Sequence, residues 1–571
     1  MKVSAQDKLN DLLLTVQKPG RYVGGEWNAV KKDWADDKLK VCLAFPDVYE
    51  IGMSYLGIKI LYGILNNRDD CLCERVFAPW KDFETVLRNN DIKLFSLESR
   101  RSLKDFDIVG FSLAYELGYT NLLNMLNLGG IPINAMDRGD DDPVVIAGGP
   151  SCYNPEPVAE FIDAFVIGDG EDVINEIVDV VKASGPRAKR SRKEILKELS
   201  KIKGVYVPSF YKTDYNPDGT ISGFCPTEAG VPEKIEKRFV KNLDEAFYPT
   251  KQIVPNIQIV HDRIAIEIMR GCKHACRFCQ ASATYRPCRE RSRKNIVRLA
   301  KESYAMTGYD EVSLLSLSSI DHSELVGIIE DLNREFSGKA VSISVPSLRI
   351  EENVSSIPVL VSKVKKSGLT FAPEAGSDRM RKILGKNISV EKLSCAALES
   401  FRAGWKHVKL YFMIGLPGEE EADLSGIAAM VQKISDLKRD VDGHSANITL
   451  SINAFVPKPH TDFELNAMDR VDTLEKKRNF LRNCVKSKMV KMDFHSYNMS
   501  RLEAVFSRGD RRLSCVINKA WEKGARFDGW QDVFNFDIWV NAFQETGRNP
   551  DFYTTRPRDK SEMLPWGFIH T

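Results

Sequence analysis

The chain has 571 residues, a formal net charge of +2, and 43% hydrophobic against 28% charged residues. That length exceeds one core and suggests three or four domains, and the near-neutral charge gives no electrostatic argument for nucleic acid as a bulk partner. No apolar run approaches the roughly 18–20 residues that cross a bilayer, MKVSAQDKLNDLLLTV is not a signal peptide, and twelve cysteines are too dilute for a disulfide scaffold, which reads as reduced thiols in a cytoplasmic protein.

After an N-terminal extension (1–39), residues 40–185 alternate short strands and helices. KVCLAFPD (40–47), DIVGFSLA (107–114), DPVVIAGGP (142–150) and DAFVIGDG (163–170) read as strands, and YLGIKILYGILNN (55–67), YTNLLNMLNLGG (119–130) and EDVINEIVDVVKASG (171–185) as helices. The pattern predicts a doubly wound parallel sheet, with ligands at the strand carboxyl ends where FPDVYEIG, AGGP and GDGE stand. Residues 186–259 form a connector. Its basic start, PRAKRSRKEILKEL, reads as a solvated linker and helix start in preference to a nucleic-acid contact, and GVYVPSFYKTDYNPDGTISGFCP (204–226) as a hairpin turning at Asn216–Gly219. A second series over 260–465 places strands at 264–270, 311–318, 341–347, 369–374, 407–416 and 448–457. Six β/α units suit a partial parallel barrel. Beyond about 465 the strands are expected to stop, leaving a mostly helical C-terminal module (466–571).

RGCKHACRFCQA (270–281) follows the first barrel strand, on the rim where barrels place their chemistry. Cys272, Cys276 and Cys279 are spaced C-x3-C-x2-C, and no fourth cysteine completes a pair. Three thiolates on one loop hold three irons of a four-iron cluster and leave the fourth open to a ligand. A structural zinc site is the plainer alternative, but it wants four ligands in two pairs. His274 suits loop shaping better than ligation, and Cys288 is either a fourth ligand or a small apolar filler.

With Phe278 before the last cysteine, this motif after a first barrel strand resembles the radical S-adenosylmethionine (SAM) superfamily. The resemblance implies a [4Fe-4S] cluster whose open iron chelates SAM, reductive cleavage to a 5′-deoxyadenosyl radical, and an external electron donor such as flavodoxin or ferredoxin. FAPEAGSDRMRKILGK (371–386) resembles the family's fourth-strand segment, which assigns Glu374, Gly376 and Ser377 to the ribose and methionine portions. MIGLPGE (413–419) resembles the turn near adenine, with Gly415 there, and Arg349 is placed to meet the SAM carboxylate or to form a surface ion pair. The common Gly-Gly-Glu after the second strand is missing. LSLSS stands in its place, where Ser316, Ser318 or Ser319 would offer substitute contacts.

NAFVPKPHTDFE (453–464) and residues 40–185 resemble the branch with an N-terminal cobalamin-binding-type domain. Gly148, Gly149, Gly168 and Gly170 would let backbone line a corrin or nucleotide tail, or they serve ordinary strand-to-helix turns. The lower-ligand pattern Asp-x-His-x-x-Gly is represented by Asp47, Tyr49 and Gly52, with tyrosine in the histidine position. Tyrosine is a poor cobalt ligand. Either cobalamin binds without protein ligation to cobalt, or the domain keeps the fold without the cofactor. In the tail, SRGDRR (507–512) reads as an ion-pair network with Asp510 and Glu503 or as a phosphate or RNA contact, and FDGW and LPWGF as aromatics packing the module onto the barrel mouth. The extra module leans the substrate toward a macromolecule, RNA or protein. The expected function is radical SAM catalysis, with cobalamin-dependent methyl transfer to an unactivated carbon. The alternatives are a radical enzyme whose N-terminal domain is a substrate or partner platform, and a non-catalytic iron–sulfur scaffold.

Overall fold

A computed structural model of the chain describes residues 5–346, 369–386, 388–402 and 404–571. Its N-terminal strands are β1 (Leu39–Phe45), β2 (Cys71–Phe77), β3 (Ile108–Ser112), β4 (Val144–Gly148) and β5 (Ala164–Val166). They pair in parallel in the order β2-β1-β3-β4-β5, and β6 (Val205–Tyr206) runs antiparallel to β5 at the edge. Nearly every strand residue is buried, as a sheet covered on both faces requires. Strand order reverses beside β1, and in doubly wound sheets ligands collect in the crevice at that switch point. The sequence reading passes over β2 because CLCERVF carries two charges at its centre. Both are buried and paired: Arg75 meets Glu26 at 3.0 Å and Glu98 at 2.7 Å, and Glu74 accepts from the Ser99 hydroxyl at 2.7 Å.

The basic connector docks on this domain. Arg190 pairs with Asp107 at 2.8 Å and Arg192 with Asp163 at 2.5 Å. The hairpin forms from β7 (Tyr211–Tyr215) and β8 (Ile221–Pro226), with Gly219 at φ +87° donating its N–H to the Asn216 carbonyl. A short β9 (Ile235–Glu236) follows.

The central region holds two parallel sheets. The first contains β10 (Ile264–Glu267), and the cysteine loop is flanked by a small antiparallel pair, β11 (Met269–Arg270) and β12 (Arg289–Glu290). β13 (Glu311–Leu315) and β14 (Ser342–Ser344) complete that sheet. β15 (Leu369–Glu374), β16 (His407–Ile414) and β17 (Asn447–Ala454) begin the second. All six strands expected of the partial barrel are present. The sheet does not stop near 465, however: the helix Val471–Cys484 and β18 (Val490–Phe494), parallel to β17, add one more unit. As an edge strand, β18 exposes Lys491 and Asp493 and only half-buries its apolar residues, so VKMDF lacks the apolar run of the inner strands. Arg349 lies outside the described residues.

Four helices then fold back onto the N-terminal domain: Tyr497–Arg508, Leu513–Glu522, Phe536–Glu545 and Pro550–Thr554. Phe506, Leu513, Ile517, Phe527 and Trp539 share one apolar core with the first sheet. This corrects the expectation for FDGW. Phe527 packs against Trp80 with ring centroids 4.7 Å apart and Trp530 donates to Asp47, so these aromatics clasp the first domain, not the barrel mouth. Trp566, in LPWGF, donates to Glu464 past the end of β17. The terminal β19 (Ile569–His570) pairs with β9. In SRGDRR, Arg512 meets Asp510 at 2.6 Å, Arg511 meets Glu156 at 3.1 Å, and buried Arg508 donates to the carbonyls of Asn466 and Arg556. All three arginines are engaged internally. Glu503 instead pairs with Lys458, beyond β17, which also meets Glu116 of the first domain, each at 2.8 Å. Among the described residues no helix is long and apolar enough to cross a membrane.

Candidate active site

The cysteine loop leaves β11 through Gly271, at φ +89°, where a Cβ would come within 2.6 Å of the Tyr285 carbonyl oxygen. Only glycine fits that turn. The Cys279 N–H donates to the Cys276 carbonyl at 3.1 Å, and Cys279 caps the short helix Gln280–Thr284. Burial, with a smaller contribution from Cys276, pushes the Cys279 thiol above its usual range. A thiol so placed keeps its proton until a metal replaces it. The three thiols are half-buried on one loop, but among the described residues no His/Cys/Asp/Glu set is gathered tightly enough to hold a metal ion. The donor set nevertheless suits iron, with three soft ligands on one loop. Cys288 packs against the apolar cluster of the first half-barrel and also abuts the start of the cysteine loop, where a Cβ on Gly271 would come within 2.9 Å of its Cα. His274 contacts Asp321 at 2.8 Å, and Lys273 donates to Glu290 and to the Asp321 carbonyl, which holds the loop against the segment after β13.

Phe278 packs against the apolar cluster that contains Leu416, Phe455 and Phe463, docking the loop on the second half-barrel. Glu374 ends β15 after a register shift and pairs with buried Lys386 at 3.0 Å. Its φ of +70° is unusual for a residue with a Cβ and costs about 1–3 kcal/mol, the kind of strain that gathers at functional sites. Gly376 and Ser377 are engaged structurally. A Cβ on Gly376 would meet the Asp423 carbonyl oxygen at 2.2 Å, and the Ser377 hydroxyl donates to Asp423 and accepts from the Met380 N–H. Gly415, at φ +79°, donates its N–H to Glu419 at 2.8 Å. After β13, the Ser316 and Ser319 hydroxyls lie 2.9 Å apart, while the buried Ser318 hydroxyl has no hydrogen-bond partner among the described residues.

A cavity of about 500 Å³ lies between the N-terminal sheet and the barrel rim. One wall is a row of facing residues on adjacent strands, Leu43, Gly110 and Ile146. The helices Leu56–Asn66 and Val173–Ala183 supply Ile60, Leu61, Val173 and Ile174. Gly148, Gly149, Gly168 and Gly170 all line it, and so does Ser316. Two of these glycines are required by the backbone itself. Gly149 (φ +116°) and Gly168 (φ +109°) would place a Cβ 2.7 Å from the Leu113 oxygen and 2.0 Å from the Arg238 oxygen. Gly110 and Gly148 are different, because a Cβ there would meet only ordinary contacts at 3.4 Å or more. Their missing side chains make the cavity. Sequence reasoning passed over Gly110, although a glycine inside a central strand is the signal for close ligand approach.

Asp47, Tyr49 and Gly52, the segment in the lower-ligand position, are not among the residues that line the cavity. The Tyr49 hydroxyl donates to Glu26 at 3.0 Å in the buried Arg75 network, Asp47 accepts from Trp530, and a Cβ on Gly52 would strike the Phe77 ring at 2.3 Å. At the mouth, Arg270 meets Glu171 at 2.7 Å, Glu267 at 2.9 Å and Asp169 at 3.2 Å, and Arg289 meets Asp169 at 2.8 Å. Arg270, Gly271 and Tyr285 line the cavity and bracket the cysteine loop, so the two features share one wall.

Residues 57–208 match the family model described as radical SAM proteins, N-terminal, and residues 266–431 that of the radical SAM superfamily. An uncharacterised protein of Methanocaldococcus jannaschii is 26% identical over 513 residues, covering 89% of this chain and 97% of that protein. Among solved structures, the fold resembles the radical SAM methyltransferase TsrM from Kitasatospora setae, with cobalamin and a [4Fe-4S] cluster bound. The TM-score is 0.50 at 12% identity, over 75% of this chain and 77% of that one. The cobalamin-dependent SAM radical enzyme OxsB, with aqua-cobalamin and SAM bound, gives 0.48 at 13%, over 90% and 71%.

Proposed function

Because this chain belongs to the radical SAM superfamily and carries a cobalamin-binding-like N-terminal domain, we propose that it is a cobalamin-dependent radical SAM enzyme that methylates an unactivated carbon. Cys272, Cys276 and Cys279 would hold a [4Fe-4S] cluster. When bound and reduced, the cluster supplies the electron that cleaves the SAM sulfonium, giving methionine and a 5′-deoxyadenosyl radical. The chain's own residues hold and orient. Phe278 fixes the loop on the second half-barrel, Glu374 presents a carboxylate at the fourth-strand rim, and the turn at Gly415 brings backbone close.

The cavity's apolar walls and its glycines would take part of a cobalamin, with Tyr55 and Tyr285 at its edge. With Tyr49 turned to Glu26, cobalt would bind without a protein ligand from this segment. The observation that carries the reading is the shared wall of the cavity and the cysteine loop at Arg270–Gly271. Radical chemistry needs no general acid–base pair, and the mouth residues are tied to one another in ion pairs.

The test is an anaerobic reconstitution with iron and sulfide, supplied with SAM and a low-potential reductant, with and without cobalamin. S-adenosylhomocysteine formed only when cobalamin is present supports methyl transfer. Formation of 5′-deoxyadenosine with no cobalamin binding at any concentration would leave a radical enzyme whose N-terminal domain serves another purpose.

A further inference from the structure

Lys386 is 6% exposed, and its Nζ lies 3.0 Å from the Glu374 carboxylate. Its backbone is tied at both ends: its N–H donates to the Arg381 carbonyl and its carbonyl accepts from the Ile388 N–H, each at 2.9 Å. The two residues before it abut the cysteine loop. The Leu384 carbonyl accepts from the Arg277 N–H at 3.0 Å, and a Cβ on Gly385 would come within 2.9 Å of the Ala275 oxygen. A single turn therefore joins the loop bearing the three thiols to the strand-end carboxylate. Glu374 reaches its place through a register shift and a positive φ. Such a conformation persists only where the surroundings over-determine it, and a buried ammonium in turn requires its carboxylate.

We infer that Lys386 is a positioning residue, setting Glu374 against the cysteine loop so that the sugar hydroxyls of SAM meet the carboxylate while its amino-acid end faces the cluster. This deepens the proposed function and rests on it. Lys386 acts through Glu374 and does not itself touch the nucleoside.

The experiment measures SAM binding to the reconstituted full chain by equilibrium dialysis, together with the change in the reduced cluster's paramagnetic resonance spectrum on adding SAM. Lys386→Met is expected to weaken SAM binding about tenfold with iron and sulfide content unchanged, and Lys386→Arg to recover most of the loss. Because the two residues act as one unit, the Glu374→Gln/Lys386→Met double variant should bind no more weakly than Glu374→Gln alone. Unchanged binding by Lys386→Met would overturn the inference, and so would a double variant weakened by the product of the two single factors. If Lys386→Met fails to load iron, the double variant, which leaves no lone buried charge, decides by the same comparison with Glu374→Gln. A wild-type chain with a full cluster and no SAM binding would overturn the functional reading as well, whereas normal wild-type binding with an indifferent Lys386→Met overturns only this one.

Discussion

At the residue scale, identity and position parted company in the segment after β1. Asp47-Val48-Tyr49-Glu50-Ile51-Gly52 has the spacing of a lower-ligand motif, but spacing along a chain does not say which way a side chain turns. Tyr49 turns into the Glu26–Arg75 network, so Tyr49→Phe should cost about 1 kcal/mol of stability and leave the visible spectrum of bound cobalamin unchanged. A spectral shift in that variant would mean that the tyrosine does reach cobalt. Gly110 and Gly148 carry the opposite expectation. Valine at either position fits the backbone but fills the cavity, so Gly110→Val and Gly148→Val should each weaken cobalamin binding at least about tenfold while iron content stays at the wild-type level. Equal cobalamin binding by both variants and the wild type would remove the cavity from the account. The rim glycines that line the cavity and the spacing of the three cysteines were legible because each is a local pattern. Lys386 was not, because its importance rests on a partner twelve residues away across a turn.

At the scale of elements, the alternation of strand and helix was readable wherever strands are apolar throughout. It failed at β2, whose buried charges find partners far along the chain, and at β18, whose edge position leaves a mixed sequence. The contacts between elements were less accessible still. Lys458 bridges Glu116 and Glu503, joining barrel, first domain and C-terminal helices. Lys458→Met leaves two carboxylates without their cation and should destabilise the fold by about 3–5 kcal/mol, read from denaturant midpoints; a change below 1 kcal/mol would show that the junction is not held by charge.

His460, in the same loop, donates from Nε2 to the Tyr153 carbonyl at 2.9 Å, and burial pushes its pKa down to about 4. Below its ordinary value near 6.5 the unfolded chain takes up the proton first. The contribution of neutral His460 is therefore intact above pH 6.5 and falls as pH drops toward 4, by up to about 3 kcal/mol. Stability curves of wild type and His460→Gln should converge over that window, and parallel curves would refute the assignment.

For the whole molecule, the arrangement is one of shared walls. The first sheet and the barrel meet over a cavity, the cysteine loop starts at its edge, and the C-terminal helices complete the first domain's core from outside. This arrangement engages Arg508, Arg511 and Arg512 of the tail in internal contacts. It also places the loop of three cysteines and the cavity side by side, and on the proposed function these are the radical source and the cobalamin site. The most direct test compares the reconstituted wild type with Cys276→Ala, measuring bound iron and the 5′-deoxyadenosine formed from SAM under a strong reductant. The account predicts about four irons per chain and 5′-deoxyadenosine in the wild type, with both lost in the variant. A fully loaded wild-type cluster that yields no more 5′-deoxyadenosine than the variant would contradict it.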